Sequence, residues 1–157
     1  MPVDDNQFKH ALSHFASGVT IVTTEHEGTD YGLTVASFAS LSLNPPLVLV
    51  CINKSSSSHD PIAKSQKFGV SILGSDQEAI SGRFAARGGD KFAGLDVRRG
   101  STGVPLVGNA LATLECRVHE QIIGGDHSIF IGEVVDTKTR EGAPLLYFRA
   151  AYREMRL

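Results

Sequence analysis

A chain of 157 residues, 41% hydrophobic and 20% charged, has enough apolar surface for one packed domain and too little length for two comfortable ones. Its formal charge of −2 gives no electrostatic basis for binding a nucleic-acid backbone or an anionic membrane. No apolar run approaches the roughly 18 residues of a membrane span, and the start, MPVDDNQFKH, is polar and acidic where a secretory leader is basic and then apolar, so a cytoplasmic location is expected.

In chain order, Asp4 or Asp5 can cap a helix over residues 5–15 whose Phe8, Leu12 and Phe15 form a stripe predicted to lie against a core. His10 and His14 share a face of it that is expected to meet solvent. Residues 18–26 (GVTIVTTEH) are rich in β-branched side chains, and the polar EGTD leads into residues 31–43 (YGLTVASFASLSL), so the two runs predict an antiparallel pair. The apolar run PPLVLVCIN predicts a strand that begins at Leu47, because Pro45 and Pro46 lack the N–H that a ladder needs. A capped helical turn over 58–64 (SHDPIAK) and a strand over 67–74 (KFGVSILG) follow. A second helix is predicted over 75–86 (SDQEAISGRFAA), capped by Ser75 or Asp76 and carrying Ile80 and Phe84 on one face.

Residues 87–103 are rich in glycine and charge, with no sustained period. They predict a long surface loop around the DKF triplet at 90–92, of the kind that serves a site or is disordered. Strand patterns return over 105–123 and 127–140, joined by a turn at Gly124 and Gly125, and a short piece over 144–155 closes the chain. Six or seven strands and two or three short helices, without strand and helix alternation, predict a mainly β domain built as a closed or split antiparallel barrel. Cys51 and Cys116 sit in strand-like runs and read as buried free thiols, and the six histidines form no HExxH or Cys/His knuckle, so no metal site is predicted.

GxGxxG after a strand, GxxxxGK[ST] and GxSxG are all absent. The unusual stretch is 32–58, GLTVASFASLSLNPPLVLVCINKSSSS, in which small and hydroxyl residues lie between apolar runs. Such residues let main-chain N–H groups approach a flat ligand, and Lys54 with Ser55 to Ser58 adds a cation and donors of the kind a phosphate requires. Taken alone, that tract reads as a solvated loop.

The succession FASGVTIVTT, GLTVASFASLSLNPPLVLVCINKSSSSHDPI, FGVSIL and GDHSIFIGEV resembles, colinearly over roughly residues 8–153, the flavin reductase-like family, the small reductase components of two-component flavin monooxygenases. The most specific parts are TVASF, SLNPPLVLVCINKSS and GDHSIFIGEV. The resemblance implies one domain over residues 1–157 with a Greek-key split β-barrel of the FMN-binding type, usually a homodimer with flavin near the subunit interface. It also implies NADH or NADPH as reductant, with NADH expected, FMN or FAD as acceptor, and an oxygenase component receiving the reduced flavin.

Carried over residue by residue, the family pattern implies that Thr34, Val35, Ala36 and Ser37 line the isoalloxazine ring. Cys51, Ile52, Asn53 and Lys54 would flank the ring and ribityl chain, with Lys54, Ser55 and Ser58 nearest the phosphate. His127 matches the position associated with nicotinamide docking, and Arg83, Phe92 and Tyr152 are expected at the rim of the cofactor pocket. Without the resemblance, Phe92 and Tyr152 read as core aromatics, Arg83 as a solvated helix residue and His127 as a turn residue.

Both reacting groups would belong to cofactors, which explains why no acid/base dyad is visible: the protein must stack, orient and electrostatically support them. The 51–55 segment is expected to support the N1 and C2 carbonyl edge of the flavin, and His127 to position the nicotinamide without deprotonating anything. Two other classes compete. A flavin-binding protein or electron carrier without nicotinamide-dependent activity would leave the GDH segment idle. A barrel that binds oligonucleotides or a protein partner is opposed by the acidic balance, the absence of Trp and the presence of only three Tyr.

Overall fold

The first helix, α1 (Asp5–Leu12), starts where its cap dictates: in the computed structural model, which describes residues 2–156, the Asp4 carboxylate accepts from the N–H groups of Asn6 and Gln7, both at 2.9 Å. It stops short of residue 15, and the expected burial of its stripe is not found, since Phe8, Leu12 and Phe15 are 53%, 57% and 81% exposed. The helix is tethered at its far end, where the Arg149 N–H donates to the Ser13 carbonyl and the His14 ring meets Phe148 edge-on, so its apolar face turns away from the interior. His10 and His14 are exposed, as expected.

After β1 (Ser17–Gly18), the β-branched run forms β2 (Thr20–His26), which pairs antiparallel with β3 (Thr29–Val35) through a turn at Gly28. The run from 31 to 43 is two strands and not one: it breaks at Ala36 and Ser37, and β4 (Phe38–Leu43) pairs instead with β5 (Pro46–Asn53). Pro46 opens β5 one residue before the predicted start, which is tolerated because the first residue of an edge pair need not donate. α2 (His59–Ser65) follows with Ser58 as N-cap, although the Ser58 side chain makes no capping bond. β6 (Lys67–Ile72) comes next.

The predicted 75–86 helix is divided into a 3-10 turn, Ser75–Gln77, and α3 (Glu78–Ala85). Neither Ser75 nor Asp76 caps it: the Gly74 N–H donates to Gln77 Oε1 at 3.0 Å, and Asp76 pairs with Arg140 instead. The long loop contains β7 (Val97–Arg99), paired with β8 (Pro105–Val107), and the run from 105 to 123 breaks after β8 before resuming as β9 (Ala112–Gly124). β9 and β10 (His127–Thr139) form the predicted hairpin, with Gly125 at φ 62°, and β11 (Leu146–Phe148) and β12 (Ala151–Arg153) close the chain beside β1. The described residues therefore hold twelve strands, from two to thirteen residues long and more than the six or seven expected, of which seven form the main sheet.

That sheet runs β3-β2-β6-β9-β10-β5-β4, antiparallel throughout, with Greek-key crossovers at β2–β6, β6–β9 and β10–β5. Its two edges, β3 and β4, are neighbours in sequence, so the chain crosses the opening of the barrel at Ala36 and Ser37, both exposed. The barrel is split at this point. Alternation along β5 turns Val48, Val50 and Ile52 inward onto Val22, Phe68, Val70, Cys116 and Phe130, while Ile21, Leu73, Phe84, Val107 and Leu145 form a second cluster under α3. Cys116 is buried as expected, whereas Cys51 is half-buried, because β5 alternation turns it away from the core; both thiols are free. Among the described residues no helix is long and apolar enough to cross a membrane.

Candidate flavin site at the split of the barrel

The ledge at residues 34–37 is held from both sides. The Thr34 hydroxyl donates to the Ser81 carbonyl of α3 at 2.6 Å, and the Ser81 hydroxyl lies 2.7 Å from the Tyr152 phenol, so α3 and β12 fasten the end of β3. On the other side the Cys51 N–H donates to the Ser37 carbonyl, and the Ser37 hydroxyl to the Cys51 carbonyl, each at 3.1 Å. Val35 and Ile52 are 4% and 0% exposed, so these two positions offer a ligand only their main chain.

Beside the ledge lies a cavity of about 370 Å³ that gathers Thr34, Asn53, Ser55, Ser56 and Ser57 with Phe84 to Gly88 and Lys91. Two cations, Arg87 and Lys91, and five hydroxyl or amide side chains line it, and no carboxylate does. Lys91 donates to the carbonyls of Gly32 at 3.2 Å and Phe84 at 3.0 Å; burial pushes its ammonium below the usual lysine range. A second hollow of about 330 Å³ adjoins the first, sharing Ser57, Gly88 and Lys91, and adds Tyr31, Asp90 and Phe92. Gly32 stands behind both: a Cβ there would lie 2.7 Å from Phe84 and 3.2 Å from Phe92, so only glycine lets these rings meet edge-on at 5.0 Å.

The residues expected near a phosphate are thus divided. Ser55 lines the cavity, with its N–H and hydroxyl both donating to Asn53 Oδ1 at 2.8 Å. Lys54 is directed elsewhere: its ammonium donates to the Gly125 carbonyl at 2.7 Å and its N–H to the Asp126 carbonyl at 2.9 Å, which pins β5 to the β9–β10 turn. Ser58 is 1% exposed, lies outside the lining, and its hydroxyl has no hydrogen-bond partner among the described residues. Arg83 donates to the carbonyls of Asp90 and Ala93 and so shapes the loop that carries Lys91. Tyr152 packs edge-on against Tyr147 at 5.5 Å and reaches the ledge through Ser81.

His127 opens β10 directly opposite Asn53, with its side chain 40% exposed. Its Nδ1 lies 2.7 Å from Asp126 Oδ1, and because an ionised carboxylate only accepts, Nδ1 carries the hydrogen. The same hydrogen bond holds the Asp126 carboxyl below the usual carboxylate range. The lining cations that sequence reasoning did not name are Arg87 and Lys91, while Ser56 and Ser57 were included only as members of the serine tract. The signal for Lys91 was present in the DKF triplet, but its proximity to the serine tract depends on a loop with no periodicity.

A third hollow, of about 270 Å³, sits at the far ends of β9 and β10 around Arg98, Glu115 and Arg140, and contains none of the expected residues. Among the described residues no group of three or more His, Cys, Asp or Glu is arranged to hold a metal ion.

The family model described as flavin reductase like domain matches residues 12–156. The chain belongs to the flavin reductase-like family. This flavin reductase-like chain is 44% identical over 151 residues, 96% of its own length and 81% of the relative's, to the reductase component of a 4-nitrophenol 4-monooxygenase/4-nitrocatechol 2-monooxygenase from Rhodococcus opacus. It is 40% identical over 149 residues, covering 95% of itself and 85% of the relative, to the FMN reductase (NADH) SmoA of Agrobacterium fabrum. Its fold superimposes with a TM-score of 0.91 and 36% identity, over 99% of this chain and 97% of the other, on a Streptomyces globisporus NADH:FAD oxidoreductase in complex with NAD and FAD fragments.

Proposed function

We propose that this chain reduces FMN or FAD with NADH and passes the reduced flavin to an oxygenase component. The observation that carries this reading is the cavity at the split, lined by two cations and five hydroxyl or amide side chains with no carboxylate, next to a ledge of small residues. That lining suits a phosphate ester, and the ledge suits a flat ring. The names of the relatives from Rhodococcus opacus and Agrobacterium fabrum support the same activity and an oxygenase recipient.

When bound, the two cofactors supply the hydride donor and the hydride acceptor. The protein's residues bind and orient. Lys91, Arg87 and the hydroxyls of Ser55, Ser56 and Ser57 hold the phosphate; Lys54 anchors the turn beside it, and Ser58, buried at the N-cap of α2, stays outside the lining. Thr34 and the main chain of Val35, Ala36 and Ser37 form the floor under the ring, and Cys51, Ile52 and Asn53 flank it. His127, its ring fixed by Asp126, docks the nicotinamide from the β10 side, and Arg83, Phe92 and Tyr152 support the rim.

The chain also acts as a homodimer in this reading. β4 is an unpaired edge beside the split, and it exposes Leu41 at 48% and Leu43 at 96%, in addition to the bare apolar face of α1.

Mixing protein and NADH with each flavin in turn, and following loss of the reduced-nicotinamide absorbance, tests the reaction. Consumption that depends on FMN or FAD is expected, with Lys91→Ala weakening flavin binding about tenfold, the scale of a lost charge-assisted hydrogen bond. Flavin binding without NADH consumption would leave the electron-carrier reading in its place.

A further inference from the structure

Directly behind His127, on the inner side of the same strand, lies a polar chain that the proposed reaction does not use, buried at its centre and reaching solvent at both ends through Gln121 and Asp60. Ser128 is 1% exposed and its Oγ lies 2.8 Å from Nε2 of His59, itself 8% exposed. His59 Nδ1 lies 3.0 Å from Asp60 Oδ1, and Gln121 Nε2 donates to Ser128 Oγ at 3.4 Å. Because the Asp60 carboxylate only accepts, Nδ1 is its donor, which leaves the Nε2 of a neutral ring to accept from the Ser128 hydroxyl. The hydrogen bonds then run in one direction from Gln121 through Ser128 and His59 to Asp60, with no buried member left unpaired.

The order Ser, His, Asp is that of a hydrolase relay, but Ser128 lines none of the three hollows described above and is closed off from any substrate carbonyl. The chain links two halves of the candidate site. At one end the His59 N–H donates to the carbonyl of Ser56, which lines the phosphate cavity, at 3.1 Å. At the other end Ser128 follows His127, and alternation along β10 makes one side chain point outward when its neighbour is held inward. An apolar pair would fill the same space at no loss of stability, whereas a directed hydrogen bond selects one setting of the strand against α2.

We propose that His59 and Ser128 are positioning residues for His127: a buried strut from the serine tract to β10 that sets where the His127 imidazole stands without touching either cofactor. This rests on the reading of His127 as the nicotinamide dock.

Steady-state kinetics and flavin titrations on the whole chain test it, using Ser128→Ala, His59→Gln, His127→Ala and the double variant His59→Gln/His127→Ala. Either strut substitution is expected to raise the KM for NADH about threefold to tenfold, the scale of one buried hydrogen bond, while kcat and the flavin Kd stay within about twofold. In the double variant, His59→Gln should add nothing to the KM that His127→Ala alone produces. An unchanged KM in Ser128→Ala, a flavin Kd that shifts in parallel, or additivity in the double variant overturns the strut. Should His59→Gln not fold, Ser128→Ala and its own double variant with His127→Ala decide the matter. If His127→Ala itself leaves the KM for NADH unmoved, the docking role falls and the strut falls with it; if it raises the KM while Ser128→Ala does not, only the strut is lost.

Discussion

Lys54 and Lys91 show how a single cation acquires a role. Lys54 follows a strand and precedes four serines, so local composition favours it for a phosphate, yet its ammonium is held by the Gly125 carbonyl and Lys91 lines the cavity. Cys116 tells a simpler story, since an apolar strand pattern predicted a buried thiol and the residue is 0% exposed. Burial, helped by the nearby charge of Glu115, pushes its thiol from 9.0 up to about 12. The folded value lies above the unfolded one, so the neutral thiol stabilises the fold fully below pH 9.0, and that contribution is lost as pH climbs from 9.0 to about 12. Denaturation midpoints measured across that range should fall more steeply for the natural chain than for Cys116→Ala, by about 1.4 kcal/mol per pH unit at most. Parallel curves would mean that the thiol titrates as it does in the unfolded chain.

At the scale of elements, close approach matters more than propensity. Gly132, in the middle of β10, faces Phe68 across the core: a Cβ added there would lie 2.5 Å from Phe68 Cζ and 2.8 Å from Cys116 Cβ. Phe68 is 0% exposed and has no room to swing away. Gly132→Ala should therefore cost about 1–3 kcal/mol, the range of overpacked cores, read as a lower urea midpoint at unchanged slope. A midpoint equal to that of the natural chain would show that the β9–β10 ribbon shifts to accept the methyl. The strand runs and their pairing by turns were legible because β-branched alternation and glycine turns are local signals. The breaks at Ala36 and Ser37 and at residues 108–111 were not, because each marks where the chain changes neighbours in the sheet, and that is a non-local event.

For the whole molecule, the uncovered apolar surface sets the expectation. Phe8, Leu12 and Phe15 in and just after α1, and Leu41 and Leu43 on the edge strand β4, are 53%, 57%, 81%, 48% and 96% exposed, apolar surface of the kind that a partner covers. The solution mass should be that of a dimer, and Leu43→Lys should shift it toward the monomer while leaving the far-ultraviolet circular dichroism unchanged. A natural chain that runs as a monomer at micromolar concentration would remove the homodimer from the proposal.

What the sequence determined by itself was the class of fold, the family and the two segments that meet at the site, because alternation, turn residues and colinear motifs are written along the chain. The tertiary structure alone decided which cation faces the serine tract, how β3 and β4 come to border one opening, and that a buried histidine stands behind His127. Each of these depends on residues far apart in sequence being brought within a few ångströms by the register of antiparallel strands, and register is set by the whole sheet and not by any one segment.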